Sequence, residues 1–400
     1  MLRRLRKCIP PKMKTRLLKI YYWFLKLGED LYTMAYGKVC RIQPGKVVFC
    51  NFFGRPYGDN PKYIADELLR RNLGWDLVWL VKDPSLPLPE GVRAVRYGTS
   101  KALREMATAK FVVDNVRSSI RPPKKRGQVY LQTWHGGLGF KAVEGAVPDL
   151  DHEYVKAAKR DGKNCDGIVS SCGLQTEEFQ NYFWLNEKTE ILEIGLPRND
   201  KLFDPAAVSR MASEVRRALQ ISEKKKIVLY MPTFRDDRSV DGYRLDHQGV
   251  LNAFEKRFGE EFVMVIRLHP NVQDQDEILP CDERIINATR YPDAQELYMA
   301  ADYLITDYSS SAFDFSLLGR PVILCALDYE KYRDERGLTD IFRQCPYPKA
   351  FTNGELTACI EAFSPADYQM RFDAFKRFWR PFDKGKASKQ VVDWMIEKTK

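Results

Sequence analysis

The stretch Leu304-Ile305-Thr306-Asp307-Tyr308-Ser309-Ser310-Ser311-Ala312-Phe313-Asp314-Phe315, closed by Gly319-Arg320-Pro321, decides the fold. Leu304-Ile305-Thr306 is short, apolar and β-branched, so it reads as a buried strand. Asp307 and the three serines then read as a turn opening a helix, because Asp and Ser side chains cap the free N–H groups of a first turn. A strand entering such a helix collects backbone donors, hydroxyls and the positive end of the helix dipole, which makes an anion site. Asp314, five residues past Ser309, falls one turn into the helix. A carboxylate there reaches the sugar hydroxyls of a nucleotide whose phosphates sit at Ser309 and Ser310. Gly319-Arg320-Pro321 ends the helix and Val322-Ile323-Leu324 starts another strand. Taken alone, the stretch fits an ordinary capped helix equally well.

The same strand–helix alternation runs outward from residue 46. Val47–Cys50, Leu77–Val81, Phe111–Val113, Val129–Gln132 and Gly167–Ser170 form one set of apolar runs. Ile227–Tyr230, Phe262–Ile266, Arg284–Ile286, Tyr303–Ile305 and Val322–Leu324 form a second. Strands that alternate with helices predict parallel sheets covered on both faces. The break falls at 195–222, where a turn leads into a charged helix and Lys224-Lys225-Lys226. The expectation is an α/β protein of two halves around a cleft. No Gly-x-Gly-x-x-Gly follows a strand and no Walker-type loop is present, which argues against dehydrogenase and ATPase readings.

Composition narrows the class. The nine cysteines are scattered, with no C-x-x-C pair, which argues for reduced thiols and a cytoplasmic setting. Four histidines and no acidic cluster assign no metal site, and a divalent metal such as Mg stays open as a cofactor. The net charge is +10, yet nine of the 64 basic residues lie within residues 1–26, which hold no acidic residue. The remaining 55 nearly balance the 54 acidic ones, so a nucleic-acid binder with a broad basic face is disfavoured. The basic run leads into Tyr21-Tyr22-Trp23-Phe24, too short to span a bilayer, and reads as a helix lying on an anionic membrane surface. The competing reading is a first helix packed on the core by its aromatic face.

Chemistry-bearing residues cluster just after strands. Gln132-Thr133-Trp134-His135-Gly136-Gly137-Leu138-Gly139-Phe140-Lys141 places His135 at a strand's carboxyl end, where open α/β sheets bind ligands. His135 suits a general base near neutral pH, Gly136 permits close backbone approach, and Lys141 adds a charge. Arg267-Leu268-His269-Pro270 sets Arg267 and His269 toward a phosphate, and Arg198 and Arg235 each follow an apolar run in a turn. Guanidinium forks suit phosphate oxygens, although each arginine alone reads as a surface ion pair. His152 and His247 read as structural.

Trp134-His135-Gly136, Gly195-Leu196-Pro197-Arg198-Asn199-Asp200, Pro232-Thr233-Phe234-Arg235-Asp236, Leu268-His269-Pro270 and Ile305-Thr306-Asp307-Tyr308-Ser309-Ser310 occur in one order. In that order and spacing the chain resembles the CDP-glycerol glycerophosphotransferase family of teichoic-acid and capsule synthesis. Asp59-Asn60-Pro61-Lys62 and Asp328 to Gly337 resemble it too. The resemblance implies a GT-B fold of two Rossmann-like halves. Residues 1–40 would be a membrane-associating arm, 41–195 the acceptor half, 196–375 the nucleotide half and 376–400 a helix returning to the first half. It implies transfer of glycerol phosphate, or ribitol phosphate, from a CDP-alditol donor to a hydroxyl of a lipid-linked or polymeric glycan acceptor, with release of CMP. The setting implied is the inner face of the cell membrane, reached through residues 1–36. On this reading His135 is the base, with the histidine roles exchangeable. His269, Arg235, Ser309 and Ser310 hold the diphosphate, Arg198 adds a phosphate contact, and Asp314 holds the ribose. Two departures stand out. Gly137-Leu138-Gly139-Phe140-Lys141 replaces the Thr-Pro-Leu-Lys of many members, beside the implied acceptor side, and Phe234 replaces a common Trp. The alternatives are a GT-B glycosyltransferase using a nucleotide sugar and a membrane-associated scaffold with a degenerate site.

Overall fold

The computed structural model describes residues 40–117, 121–235, 241–269 and 283–399. The basic arm through residue 39, Asp236 and Pro270 lie outside them. The first sheet holds β1 (Gln43–Cys50), β2 (Asp76–Val81), β3 (Val92–Arg96), β4 (Ala109–Asp114), β5 (Val129–Gln132), β6 (Gly167–Ser170) and β7 (Glu190–Glu193). All are parallel, in the order β3-β2-β1-β4-β5-β6-β7. The second holds β8 (Lys226–Tyr230), β9 (Phe262–Ile266), β10 (Ile285–Asn287), β11 (Tyr303–Thr306), β12 (Val322–Cys325) and β13 (Lys349–Ala350). It too is parallel, in the order β10-β9-β8-β11-β12-β13. This is the expected α/β architecture of two Rossmann-like halves.

Both sheets reverse their winding at one place, between β1 and β4 and between β8 and β11. Ligands bind at the carboxyl ends of strands at such switch points. The loops after β1, β4, β8 and β11 are therefore the ones topology gives to a site. The central strands are apolar because helices cover both faces: Val47, Val48 and Phe49 are fully buried, as are Leu304 and Ile305. Helices start where the sequence offers caps. Asp204 and Ser364 each accept first-turn N–H bonds just ahead of a proline at the first helical position.

Besides the chain's crossing from β7 to β8, two further connections join the halves. The chain leaves the second half after the helix Pro365–Trp379 and returns as Ala387–Glu397, whose Val391, Val392, Trp394 and Met395 complete the core over β1 and β2. Gly167 permits this: a Cβ there would lie 2.7 Å from the Trp394 ring. The second connection is the loop after β5. Leu138 and Phe140 are fully buried in the second half's core, with Phe140 centred 4.9 Å from Phe313 and 5.5 Å from Phe342. The stretch that departs from the family pattern was expected to border the acceptor side. Its apolar side chains are instead a plug in the opposite half, because two large apolar groups bury where apolar partners exist. No helix among the described residues is long and apolar enough to cross a membrane.

Phe140→Ala is expected to cost about 3–5 kcal/mol through lost burial and the cavity left behind. A urea melt checks this, and the midpoint should fall with little change in slope if the halves unfold together.

Candidate active site at the junction of the halves

The loop after β5 is held under strain. Trp134 adopts a left-handed backbone, φ 52°, as does Asp59, φ 55°; each such conformation costs on the order of 1–3 kcal/mol and persists only where its surroundings enforce it. Here hydrogen bonds enforce it. Trp134 N–H donates to Gln132 Oε1 at 2.9 Å, and the buried Asn60 amide donates to the Trp134 carbonyl at 3.1 Å. The His135 Nδ1 lies 3.0 Å from the Asn115 carbonyl oxygen. A carbonyl only accepts, so Nδ1 carries the proton and Nε2 is left as the proton acceptor. Asn115 is itself held, its amide donating to Asp59 Oδ2 and Asn51 Oδ1, each at 2.9 Å. Burial against the Phe52 and Trp134 rings lowers the His135 pKa, with the Asn115 bond and Asp59 opposing and Arg198 and Lys141 assisting. The imidazole is neutral at physiological pH, as a base must be.

Arg198 ties this loop to both halves. Its guanidinium donates to Asp314 Oδ2 at 2.7 and 3.1 Å, to Asp59 Oδ1 at 2.9 Å and to the His135 carbonyl at 2.8 Å. Asn199 donates to the other Asp314 oxygen at 3.1 Å. This revises two expectations. Arg198 was expected on a phosphate and Asp314 on a ribose, but their polar atoms are occupied by each other inside the protein. The pair is a clamp between the halves.

Arg235, expected on the diphosphate, and Asp307, a candidate substrate contact in the turn after β11, are likewise occupied within the protein. The Arg235 guanidinium is buried, donating to Asp307 Oδ2 at 2.8 Å and to both Asp328 oxygens at 2.6 and 2.9 Å. Asp307 Oδ1 accepts from the Thr233 and Tyr308 N–H groups. The triad therefore sets the loops after β8 and β11 at the second switch point rather than facing a ligand.

The serines lie where the halves meet. A Cβ on Gly136 would stand 3.4 Å from Ser310 Oγ, and one on Gly137 3.6 Å from Asp314 Oδ1, so the two loops lie within van der Waals reach of each other. The helix they were expected to open is six residues, Ser311–Ser316, and Ser310 makes no side-chain cap. Ser309 Oγ instead accepts from Ser311 N–H and donates to Ser311 Oγ. The site depends less on a helix dipole than the sequence suggested.

Positive charge collects around His269. Arg55 from the β1 loop, Lys141 from the β5 loop and Arg267 after β9 all disfavour its protonation, after burial, and its pKa falls to about 4. Phe234 packs on it, ring centres 5.4 Å apart. Lys141 acts on both histidines and is anchored by a backbone bridge to Leu338 across the junction. Arg267 meets only the Tyr291 and Pro292 carbonyls, at 3.3–3.5 Å, and no carboxylate among the described residues. A guanidinium stays charged, and with no direct ion pair to the nearby Asp293 it suits an anionic ligand. Of the expected residues, the junction thus gathers His135, Gly136, Lys141, Ser310 and His269, with Arg267 beside His269.

Sequence reasoning missed Asp59, Asn60, Asn115, Arg55 and Asp328. Asp59-Asn60-Pro61 signalled a helix start and Asp328 opened a family-like stretch, but neither signal carried a role. His152 opens an exposed helix turn and His247 is buried without a partner for Nε2, so both are structural. Among the described residues no group of three or more His, Cys, Asp or Glu is placed to hold a metal ion.

An α/β protein with two facing switch points, a neutral histidine and a cationic group across the junction has the build of a transferase acting on an anionic donor. The comparisons narrow this. Residues 31–397 match the model of the CDP-Glycerol:Poly(glycerophosphate) glycerophosphotransferase family, and the chain belongs to that family. It is 30% identical over 381 residues to a teichoic acid poly(glycerol phosphate) polymerase of Staphylococcus epidermidis, covering 91% of this chain and 52% of that one. It is 31% identical over 368 residues to a teichoic acid glycerol-phosphate transferase of Staphylococcus aureus, covering 88% and 92%. The chain thus spans about half the length of the first of these relatives. Among solved structures it resembles the wall teichoic acid polymerase TagF, with a TM-score of 0.81, 27% identity and 98% of this chain and 99% of that one covered.

Two outcomes follow from this geometry. Arg198→Met leaves the buried Asp314 and the half-buried Asp59 without their cation and is expected to cost about 3–5 kcal/mol in chemical denaturation. His269 is neutral in the fold down to a pKa of about 4 but titrates near 6.5 when unfolded. The unfolded chain therefore binds the extra proton in that window, and stability falls as pH drops through it. His269→Asn should flatten that part of the stability–pH curve.

Proposed function

We propose that the chain transfers glycerol phosphate from CDP-glycerol to a hydroxyl of a membrane-linked or polymeric glycan acceptor and releases CMP. The observation that carries this reading is the His135 imidazole, neutral and locked by Asn115 with Nε2 as its basic atom, at a junction lined by cations. The acceptor hydroxyl attacks the phosphorus that bears glycerol. A new O–P bond forms as the bond to the bridging oxygen breaks, CMP leaves with that electron pair, and the hydroxyl proton passes to His135 Nε2. Phosphoryl transfer of this kind needs positioning and charge stabilisation more than covalent help. Arg267, Lys141 and His269 would supply the charge and donors for the diphosphate, with Ser309 and Ser310 beside them. The identity of 30–32% to glycerol phosphate polymerases, against 25% to a poly(ribitol-phosphate) polymerase, supports glycerol over ribitol. The acid-free run in residues 1–26 supports placement on an anionic membrane surface.

The test is CMP release by purified protein with a lipid-linked acceptor, offering CDP-glycerol, CDP-ribitol and nucleotide sugars in turn. CDP-glycerol should turn over fastest, and His135→Asn should lower kcat by about 10²–10⁴-fold, the range for loss of a general base. Turnover of a nucleotide sugar alone would refute the assignment. In the same protein, bound CMP should raise the His269 pKa, read by NMR, because an anion offsets the cations that depress it.

A further inference from the structure

At the outer edge of the second sheet, the helix Pro365–Trp379 faces the loop that runs from Ile341–Gln344 into β13. Arg371, Ala374 and Phe378 lie three and four residues apart, on one helix face. The small Ala374 leaves a groove of about 700 Å³ between that face and the loop. Arg343, Lys349 and Arg371 stand around it and no carboxylate lines it. Lys349 Nζ donates to two loop carbonyls, and the Arg371 guanidinium meets only the Asp367 carbonyl at 3.4 Å. Among the described residues none of these three cations is ion-paired to a carboxylate, whereas Arg93 is paired with Asp76 and Arg284 with Glu255. Three cations gathered without counter-charge repel one another, and the fold gains nothing from placing them together. An anion in the groove would remove that repulsion.

The floor adds a second feature. Tyr347 and Phe375 are buried beneath the cations, and Phe378 is 45% exposed at the rim. An apolar floor under a cationic rim suits a flexible chain of phosphates joined by carbon linkers. The groove also connects to the junction. Thr339 N–H donates to the Phe140 carbonyl at 2.8 Å and Leu338 bridges Lys141, so Arg343, in the short helix Ile341–Gln344, follows closely on the residues that hold the His135 loop.

We propose that this groove is a second binding site for a phosphodiester-linked polyol chain, holding the acceptor polymer beyond the units at the reacting centre. The proposal rests on the transferase reading. The full chain is titrated with a soluble oligomer of phosphodiester-linked glycerol, and separately with anionic lipid vesicles. Arg343→Glu with Arg371→Glu should weaken oligomer binding by at least about tenfold, since charge-assisted hydrogen bonds are lost. It should also reduce the salt dependence of binding. Ala374→Trp fills the groove with the charges intact and should weaken it similarly. CMP release with a single-unit acceptor should be unchanged in both. Unaltered oligomer affinity in both variants overturns the proposal, as does a loss confined to vesicle binding. Oligomer binding that the variants abolish, in a protein that releases no CMP from any donor, would support the groove and overturn the transferase reading.

Discussion

The structure depends on one buried guanidinium. Arg198 joins Asp59 at the first switch point to Asp314 in the second half and holds the His135 carbonyl between them. Taking three charges out of water is costly, and their attraction offsets that cost only when the geometry satisfies every partner. Here it does: Asn199 takes the remaining Asp314 oxygen and Asn115 the remaining Asp59 oxygen. A clamp of this kind is poor at adding net stability but effective at fixing one arrangement, because any other relative placement of the halves leaves a buried charge unpaired.

The local consequences follow in order. With Asp59 fixed, Asn115 is fixed, and with it the carbonyl that sets the His135 tautomer. With Asn60 donating to Trp134, the strained turn before His135 cannot relax. With Leu138 and Phe140 plugged into the opposite core, the rest of that loop is tethered, and Lys141 stands where it acts on both imidazoles. The first half thus brings His135, Arg55 and Lys141 to the junction, and the second brings His269 and Arg267. The Arg235–Asp307–Asp328 triad serves the second half as the Arg198 clamp serves the junction.

Much of this was legible in the sequence. The central strands announced themselves as apolar runs because helices cover both their faces. The three strands that escaped notice, β3, β7 and β13, are all at sheet edges, where half-exposed, charged residues such as those of Val92–Arg96 and Glu190–Glu193 erase the apolar run. The placement of His135, Gly136, Lys141 and His269 near the junction was legible because they follow strands, and strand ends are where topology puts ligands. The arginines were misread for a different reason. Nothing local distinguishes a guanidinium aimed at phosphate from one aimed at a carboxylate 116 residues away, as Arg198 is at Asp314, or 93 residues away, as Arg235 is at Asp328. Only the fold decides between them. Asn115 left no signal at all, since its role runs through a backbone carbonyl that every residue possesses.

The most direct test of the account is the protonation state of His135 in the intact protein. Long-range proton–nitrogen NMR of ¹⁵N-histidine-labelled protein, recorded near neutral pH, distinguishes the two neutral tautomers and the cation. The account requires a neutral His135 with its proton on Nδ1, shifting toward a tautomer mixture when Asp59→Ala removes the support of Asn115. A His135 that is protonated on Nε2 or cationic, or one indifferent to Asp59, would contradict it.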